Sequence, residues 1–130
     1  MKFLGVDLGA KRTGLAIGLS ENRTAAPLRT LESASTEWLA SEIAKIAASE
    51  GIDEVVLGDP LLKSGERGAA SARARSFARE LEHHLGPKPV RLIDERLSTR
   101  LAERLIKEYG SDRDSLAAAA ILQGYLDSNF

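Results

Sequence analysis

Residues 2–8, Lys2-Phe3-Leu4-Gly5-Val6-Asp7-Leu8, run into Gly9-Ala10-Lys11-Arg12 and then Thr13-Gly14-Leu15-Ala16-Ile17-Gly18-Leu19. Two apolar stretches of strand length joined by a short glycine-bearing turn predict an antiparallel hairpin. A second turn at residues 20–23 leads to a third strand over residues 26–31, which extends the hairpin into a meander. Side chains alternate along a strand, so Phe3, Gly5 and Asp7 share one face. An acid on an otherwise apolar strand costs desolvation energy unless ionised partners or a metal offset it. Gly5 and Gly9, on either side of it, leave room for a ligand or another backbone to come close.

After residue 34 the hydrophobic period changes. Trp38, Leu39, Ile43, Ile46 and Ala47 recur at helical spacing, with Ser35 as cap and Gly51 as stop. Val55-Val56-Leu57 is a short apolar strand closed by Gly58-Asp59-Pro60, and residues 61–68 read as a loop. A second helix carries Ala70, Ala74, Phe77, Ala78, Leu81 and Leu85 on one face, and Pro89 introduces a strand ending at Asp94. Ser98 or Thr99 caps a third helix with Leu101, Leu105, Ile106 and Tyr109, closed by Gly110. A last helix covers residues 112–126. The order β-β-β-α-β-α-β-α-α predicts an α/β fold: three antiparallel strands, then two parallel strands, with helices packed on the faces. Residues 1–130 are expected to form one domain.

Composition narrows the function classes. The chain has 43% hydrophobic and 28% charged residues and a net charge of −1, ordinary for a globular protein. It has no Cys, which excludes disulfides and thiolate metal sites and fits a reducing compartment. No apolar stretch reaches membrane-spanning length and the first residues lack a signal-peptide core, so the expected location is cytoplasmic, away from membranes. Between residues 63 and 79 stand Lys63, Arg67, Arg73, Arg75 and Arg79 against a single acid, Glu66. Such a stripe is either a solvated helix face or a contact for phosphates.

Three acids fall where an α/β sheet brings loops together: Asp7 and Glu95 at strand ends, Asp114 in the first turn of the last helix. Asp94 and Glu95 point to opposite faces, so one of them is expected beside Asp7. Residues 114, 118, 121, 122 and 125 share a helical face, which aims Asp114 at the sheet, while Asp112 is the natural N-cap. Hard oxygen donors without Cys and with few His suit Mg²⁺ or Mn²⁺ rather than zinc. Two such ions about 3.5–4 Å apart serve in-line phosphodiester hydrolysis, and holding them takes several carboxylates. The histidines, His83 and His84, read as an exposed pair at a helix end.

Four stretches together carry a family resemblance: Gly5-Val6-Asp7-Leu8-Gly9-x-Lys11-Arg12-x-Gly14-x-Ala16; Gly58-x-Pro60-Leu61 with Gly65; Asp94-Glu95-Arg96-Leu97-Ser98-Thr99; and Asp114-Ser115-x-Ala117-Ala118 continuing through Ile121-Leu122-Gln123 to Tyr125-Leu126. In order and spacing the chain resembles the YqgF/RuvX family, described as Holliday junction resolvases and as pre-16S rRNA nucleases. The resemblance implies an RNase H-like fold. It also implies that Asp7, Glu95 and Asp114 are metal-binding catalytic acids and that Lys11, Arg12, Arg96 and Thr99 contact substrate. The implied partners are structured RNA or branched DNA, with ribosomal precursor particles among them, and the chain is a monomer or a homodimer. Asp59 departs from the apolar or small residue usual at its position, and suggests a fourth acid near the metals. Two other readings compete. Asp7-Leu8-Gly9 followed by Thr13-Gly14 also looks like the phosphate loop of actin-like ATPases, which need two such lobes. A non-catalytic nucleic-acid binder retaining the acids is the third reading.

Overall fold

The computed structural model describes residues 1–61, 64–95, 104, 107–108 and 112–130. Its sheet has five strands in the order β3-β2-β1-β4-β5: β1 is Lys2–Asp7, β2 Arg12–Leu19, β3 Thr24–Glu32, β4 Glu54–Pro60 and β5 Val90–Glu95. The first three pair antiparallel, while β4 pairs parallel with both β1 and β5. The mixed sheet expected from the element order is therefore present. The third predicted helix, capped by Ser98 or Thr99, lies outside the described residues for most of its length, although Arg104, Lys107 and Glu108 are helical.

The helices divide between the two faces of the sheet. Helix α1 (Thr36–Ser49) starts where expected, with Ser35 Oγ accepting from Trp38 N at 3.2 Å. Its buried stripe is Leu39, Ala40, Ile43, Ile46 and Ala47. Trp38, expected on that stripe, is instead 45% exposed, because it sits about 100° around the helix from Leu39. Helix α2 (Ala69–Leu85) buries Ala74, Phe77, Ala78, Leu81 and Leu85 as the periodicity predicted. Both helices cover the face carrying Leu4, Val6, Leu15, Val55 and Leu57.

Among the described residues, helix α3 (Arg113–Asn129) is the one that covers the other face, over Phe3, Ala16, Ala25 and Val56. Small residues let it lie close. A Cβ on Gly5 would stand 3.0 Å from Ala118 O and 2.9 Å from Leu122 Cβ, and one on Gly18 2.8 Å from Leu122 Cδ2. The room beside Gly5 is thus taken by the α3 backbone. Gly9 serves the hairpin turn, since a Cβ there would meet Arg12 O at 2.2 Å. Edge strand β3 accommodates Pro27, which cannot donate to a ladder, at a register shift opposite Leu15 and Ala16.

Tightest of all is Gly14, which pairs with Asp7 in register and would thrust a Cβ to within 1.8 Å of Asp114 O. Gly14→Ala is therefore expected to lift the α3 N-terminus and destabilise the protein by about 1–3 kcal/mol or more. Gly124, exposed within α3 with nothing inside 4 Å of its missing Cβ, makes the contrast. Gly124→Ala is expected to stabilise by about 0.5–1 kcal/mol. Thermal melts of both variants check the opposite signs.

Candidate active site

The C-terminal end of central strand β1 sets the position of the site. Asp7 is its last residue. On one side stands Gly14, and over it the first turn of α3 with Asp114. On the other side lies β4, which presents Gly58 on this face, and beyond it Glu95 at the end of β5. A Cβ on Gly58 would be 3.1 Å from Glu95 Oε2. The edge-strand acid therefore leans over a bare strand toward Asp7.

Electrostatics report the same proximity. The Asp7 carboxyl is pushed up to about 6, by burial first and then by the charge of Asp114. Glu95 is pushed up to about 7, by burial first and then by the charge of Asp7. Asp7 is thus the hub, in the field of both other acids. Nonetheless, no group of three His, Cys, Asp or Glu side chains among the described residues stands closely enough to hold a metal ion as placed.

Asp114 accounts for that. Its Oδ2 accepts from Arg12 Nε at 2.7 Å. The same guanidinium reaches Glu32 Oε1 at 2.9 Å and Asp112 Oδ1 at 3.3 Å. Asp112, the N-cap of α3 as expected, accepts from Asp114 N at 3.3 Å and from the Thr30 hydroxyl. The Thr30 hydroxyl first, then the Asp114 backbone N–H and the Arg12 charge, hold the Asp112 carboxyl below its usual range. Arg12, expected at the substrate, is here the cation that ties Asp114 and Asp112 to the β2–β3 edge. Lys11 beside it is exposed. Arg96 and Thr99 lie outside the described residues.

Asp59 does not join this group. Register pairs it with Asp94, and both point to the α1/α2 face, one residue out of phase with Gly58 and Glu95. Asp59 is 2% exposed, and its Oδ2 takes the Arg67 guanidinium, which also approaches Asp94 Oδ1 at 3.9 Å. Leu61 and Arg67 are bridged, so this ion pair fastens the loop after β4 to the sheet. Alternation thus chose Glu95 over Asp94, and the same rule excludes Asp59. Sequence reading missed what Gly14 and Gly58 do, although both stood in its motifs; each is an absence of side chain whose meaning depends on a neighbour far along the chain.

A five-stranded mixed sheet of this order, with acids gathered at the end of its central strand, defines an RNase H-like nuclease. The comparisons agree. The structure of T. thermophilus RuvC in complex with a Holliday junction substrate superposes with a TM-score of 0.70 at 14% identity, covering 98% of this chain and 95% of that one. The fowlpox virus Holliday junction resolvase gives 0.59 at 18% identity, covering 98% and 99%. A family model described as RuvX, Holliday junction resolvase, matches residues 1–128. A "Putative pre-16S rRNA nuclease" of Anaeromyxobacter sp. (strain Fw109-5) is 41% identical over 98% of this chain and 97% of its own length. A namesake from Bacillus pumilus is 38% identical over 98% and 99%. The chain belongs to the RuvX family, and it is a hydrolase of phosphodiester bonds. Among the described residues no helix is long and apolar enough to cross a membrane.

The raised carboxyls fix the sign of a pH effect. Both folded-state pKa values lie above those of the unfolded chain, so folding holds these protons more tightly. The associated stability is fully present below about pH 4 and is lost as pH rises through 6 and 7. In metal-free buffer at pH 8, Asp7→Asn should therefore be more stable than wild type, by on the order of 1–2 kcal/mol after allowance for solvent screening. The advantage should vanish near pH 4. Paired melts at the two pH values in EDTA decide it.

Arg67→Ala leaves Asp59 buried without its cation. Because Arg67 is half-exposed, the expected loss is on the order of 1–3 kcal/mol, below that of a fully buried pair. Urea denaturation would show whether Arg67→Ala is the costlier change, as expected, when set beside Arg79→Ala.

Proposed function

We propose that this protein is a divalent-metal-dependent endonuclease that trims the 5′ end of precursor 16S ribosomal RNA. Asp7, Glu95 and Asp114 are its catalytic and metal-holding acids. The observation that carries this reading is the approach of Glu95 across Gly58 toward Asp7: burial and the charge of Asp114 push Asp7 up to about 6, and burial and the charge of Asp7 push Glu95 up to about 7. Among the described residues this pair has no ion-pair partner, and its donors are all hard oxygens, so the residues present fit Mg²⁺ or Mn²⁺. RNase H-like nucleases generally use divalent metals. A bound pair of such ions lowers the pKa of the attacking water and neutralises charge on the leaving oxygen.

The rest is performed by the chain. Asp7, on the central strand, holds the metal-side centre of the site, and Glu95 closes it from β5. Asp114 closes it from α3, in competition with its ion pair to Arg12. Binding there would free part of the Arg12 guanidinium toward a substrate phosphate, which reconciles its observed partners with a role at the substrate. Lys11, Arg96 and Thr99 are the other proposed substrate contacts. The sheet end sets Asp7 and Glu95 before substrate arrives, and the rearrangement left is the release of Asp114 from Arg12.

RNA is the preferred substrate because the relatives named for pre-16S rRNA match at 36–41% identity over nearly all of this chain. The resolvase structures match in fold at 14–18%. The family model's description keeps a four-way DNA junction as the second reading. That reaction cuts two strands symmetrically and calls for a two-fold dimer. The cytoplasm, with ribosomal precursor particles as partners, is the proposed setting.

A labelled small-subunit rRNA precursor and a four-way DNA junction, each with Mg²⁺, Mn²⁺ or EDTA, make the test. The expected result is metal-dependent cutting of the RNA, reduced at least 10³-fold in Asp7→Asn, on the scale by which preorganised electrostatic stabilisation affects kcat. Mn²⁺ should also raise the melting temperature of wild type at pH 8 but not that of Asp7→Asn. Preferential cutting of the junction by a dimer would transfer the function to resolution. Metal-independent binding with no cutting of either substrate would refute the nuclease reading.

A further inference from the structure

On the opposite face of the sheet from the acids, a depression of about 260 Å³ opens beneath the β1–β2 turn. It begins one residue after Asp7. Its walls are Leu8 and the Gly9–Ala10 backbone on one side, Arg73 and Ser76 of α2 on another, and Thr36 at the start of α1 on a third. The edge of buried Phe77 lines it as well. Its volume falls below the roughly 300–1,000 Å³ of a drug-sized ligand site, so it suits one small, flat group. Glu80 of α2 also lines it. Apolar walls flanked by a guanidinium, two hydroxyls and one carboxylate match one nucleotide: a base against Leu8 and Phe77, its N–H edge toward Glu80, with the phosphate at Arg73. A second, shallower hollow adjoins it through Ala34 and is lined by Lys11, Arg12 and Glu32. Each flank of the turn therefore carries a cation together with an acid, and Arg12 is paired with its own.

We infer that this depression is a nucleotide subsite, which takes one unpaired nucleotide of the substrate strand next to the phosphate cut at Asp7, with Arg73 holding that nucleotide's own phosphate. The inference rests on the nuclease reading for its substrate and on the cavity for its place. It also divides the basic stripe of α2. Arg73 lines the hollow, whereas Arg75 Nε turns back to Ser71 O at 3.4 Å and Arg79 lies about 240° around the helix from Arg73. Helical geometry thus assigns one arginine of the three to substrate. An unpaired nucleotide is required because a base in a duplex is stacked and paired, with no free edge to enter the hollow.

The test is ¹H–¹⁵N spectroscopy of the full chain titrated with AMP, GMP, CMP and UMP in EDTA, so that no metal draws phosphate to the acids. Shifts should concentrate at the amides of Gly9, Ala10 and Thr36, with one base preferred. Arg73→Ala and Ser76→Phe, which fills the hollow from an exposed position, should weaken binding at least tenfold, the scale of one base contact. Arg79→Ala should leave it unchanged. In the cleavage assay the first two should raise KM for the RNA and alter the preference at the nucleotide beside the cut. Equal losses in all three variants, or shifts scattered over α2, would reduce the effect to diffuse attraction and overturn the subsite. Failure of the nucleotides to bind, alongside cutting abolished by Asp7→Asn, would remove the subsite and leave the nuclease. Binding at Gly9 and Ala10 with no cutting of any substrate would keep the subsite and remove the nuclease.

Discussion

The close seating of α3 on a sheet face with few side chains is the contact from which the rest of the site follows. Gly5, Gly14 and Gly18 have no Cβ where the helix passes, and at Gly14 the clearance is to the carbonyl of Asp114 itself. The helix end is thereby seated where Asp114 bears on Asp7, at a distance that leaves no room for a side chain on Gly14. A bulkier residue there would move an acid as well as weaken a core. Close-packed interiors transmit such displacements because they have few voids to absorb them. The same geometry explains the alanine run in α3: Ala118, Ala119 and Ala120 are fully or almost fully buried, and larger side chains would hold the helix away.

Gathering carboxylates opposes folding, and the protein offsets only part of the cost. Arg12 balances Asp114, Asp112 and Glu32 at the outer edge of the site. No comparable cation among the ion pairs of the described residues serves Asp7 or Glu95, whose carboxyls are displaced upward by burial first and then by the charge of a neighbouring acid. The opposite face shows the alternative solution. There Asp59 is more deeply buried than Asp7 or Glu95 and Arg67 pairs with it directly, so the acid serves to anchor a loop. One sheet end thus carries two acidic groups, one compensated and structural, the other left short of positive charge and available to a cation. The unmatched pair is where the fold gives up stability, as the raised carboxyls show.

Local rules carried the sequence reading far. Short turns gave the antiparallel meander and changes of period located α1 and α2, while alternation required only that one of Asp94 and Glu95 face Asp7, and the register of β5 was needed to decide which. The same alternation, applied to β4, would have excluded Asp59, but the register joining β4 to β1 and β5 is a long-range fact with no local signal. Arg12 was legible as a functional cation and illegible as a partner of Asp114, because 102 residues separate the two. Trp38 was misplaced for a different reason. A helical stripe is wide enough that one added residue fits the period, and only the contacts of Leu39 and Ala40 fix its edge.

The two faces of the sheet meet at the turn following Asp7, and a substrate strand must cross that edge. Acids lie on the α3 side, while the hollow walled by Leu8, Ser76 and Arg73 lies on the α2 side, with Lys11 and Arg12 along the turn between them. A strand reaching from the acids to the proposed subsite would turn over that edge with the cut phosphate on one side and an unpaired nucleotide on the other. Shape therefore favours a cut in an unpaired segment flanking a helix, as at the end of a structured RNA, over a cut within a continuous duplex. For a branched DNA the same argument selects the strand crossing at the junction, where pairing is interrupted. With the proposed nucleotide seated in the hollow, the strand at this edge has to be unpaired, because a paired and stacked base has no free edge to enter it.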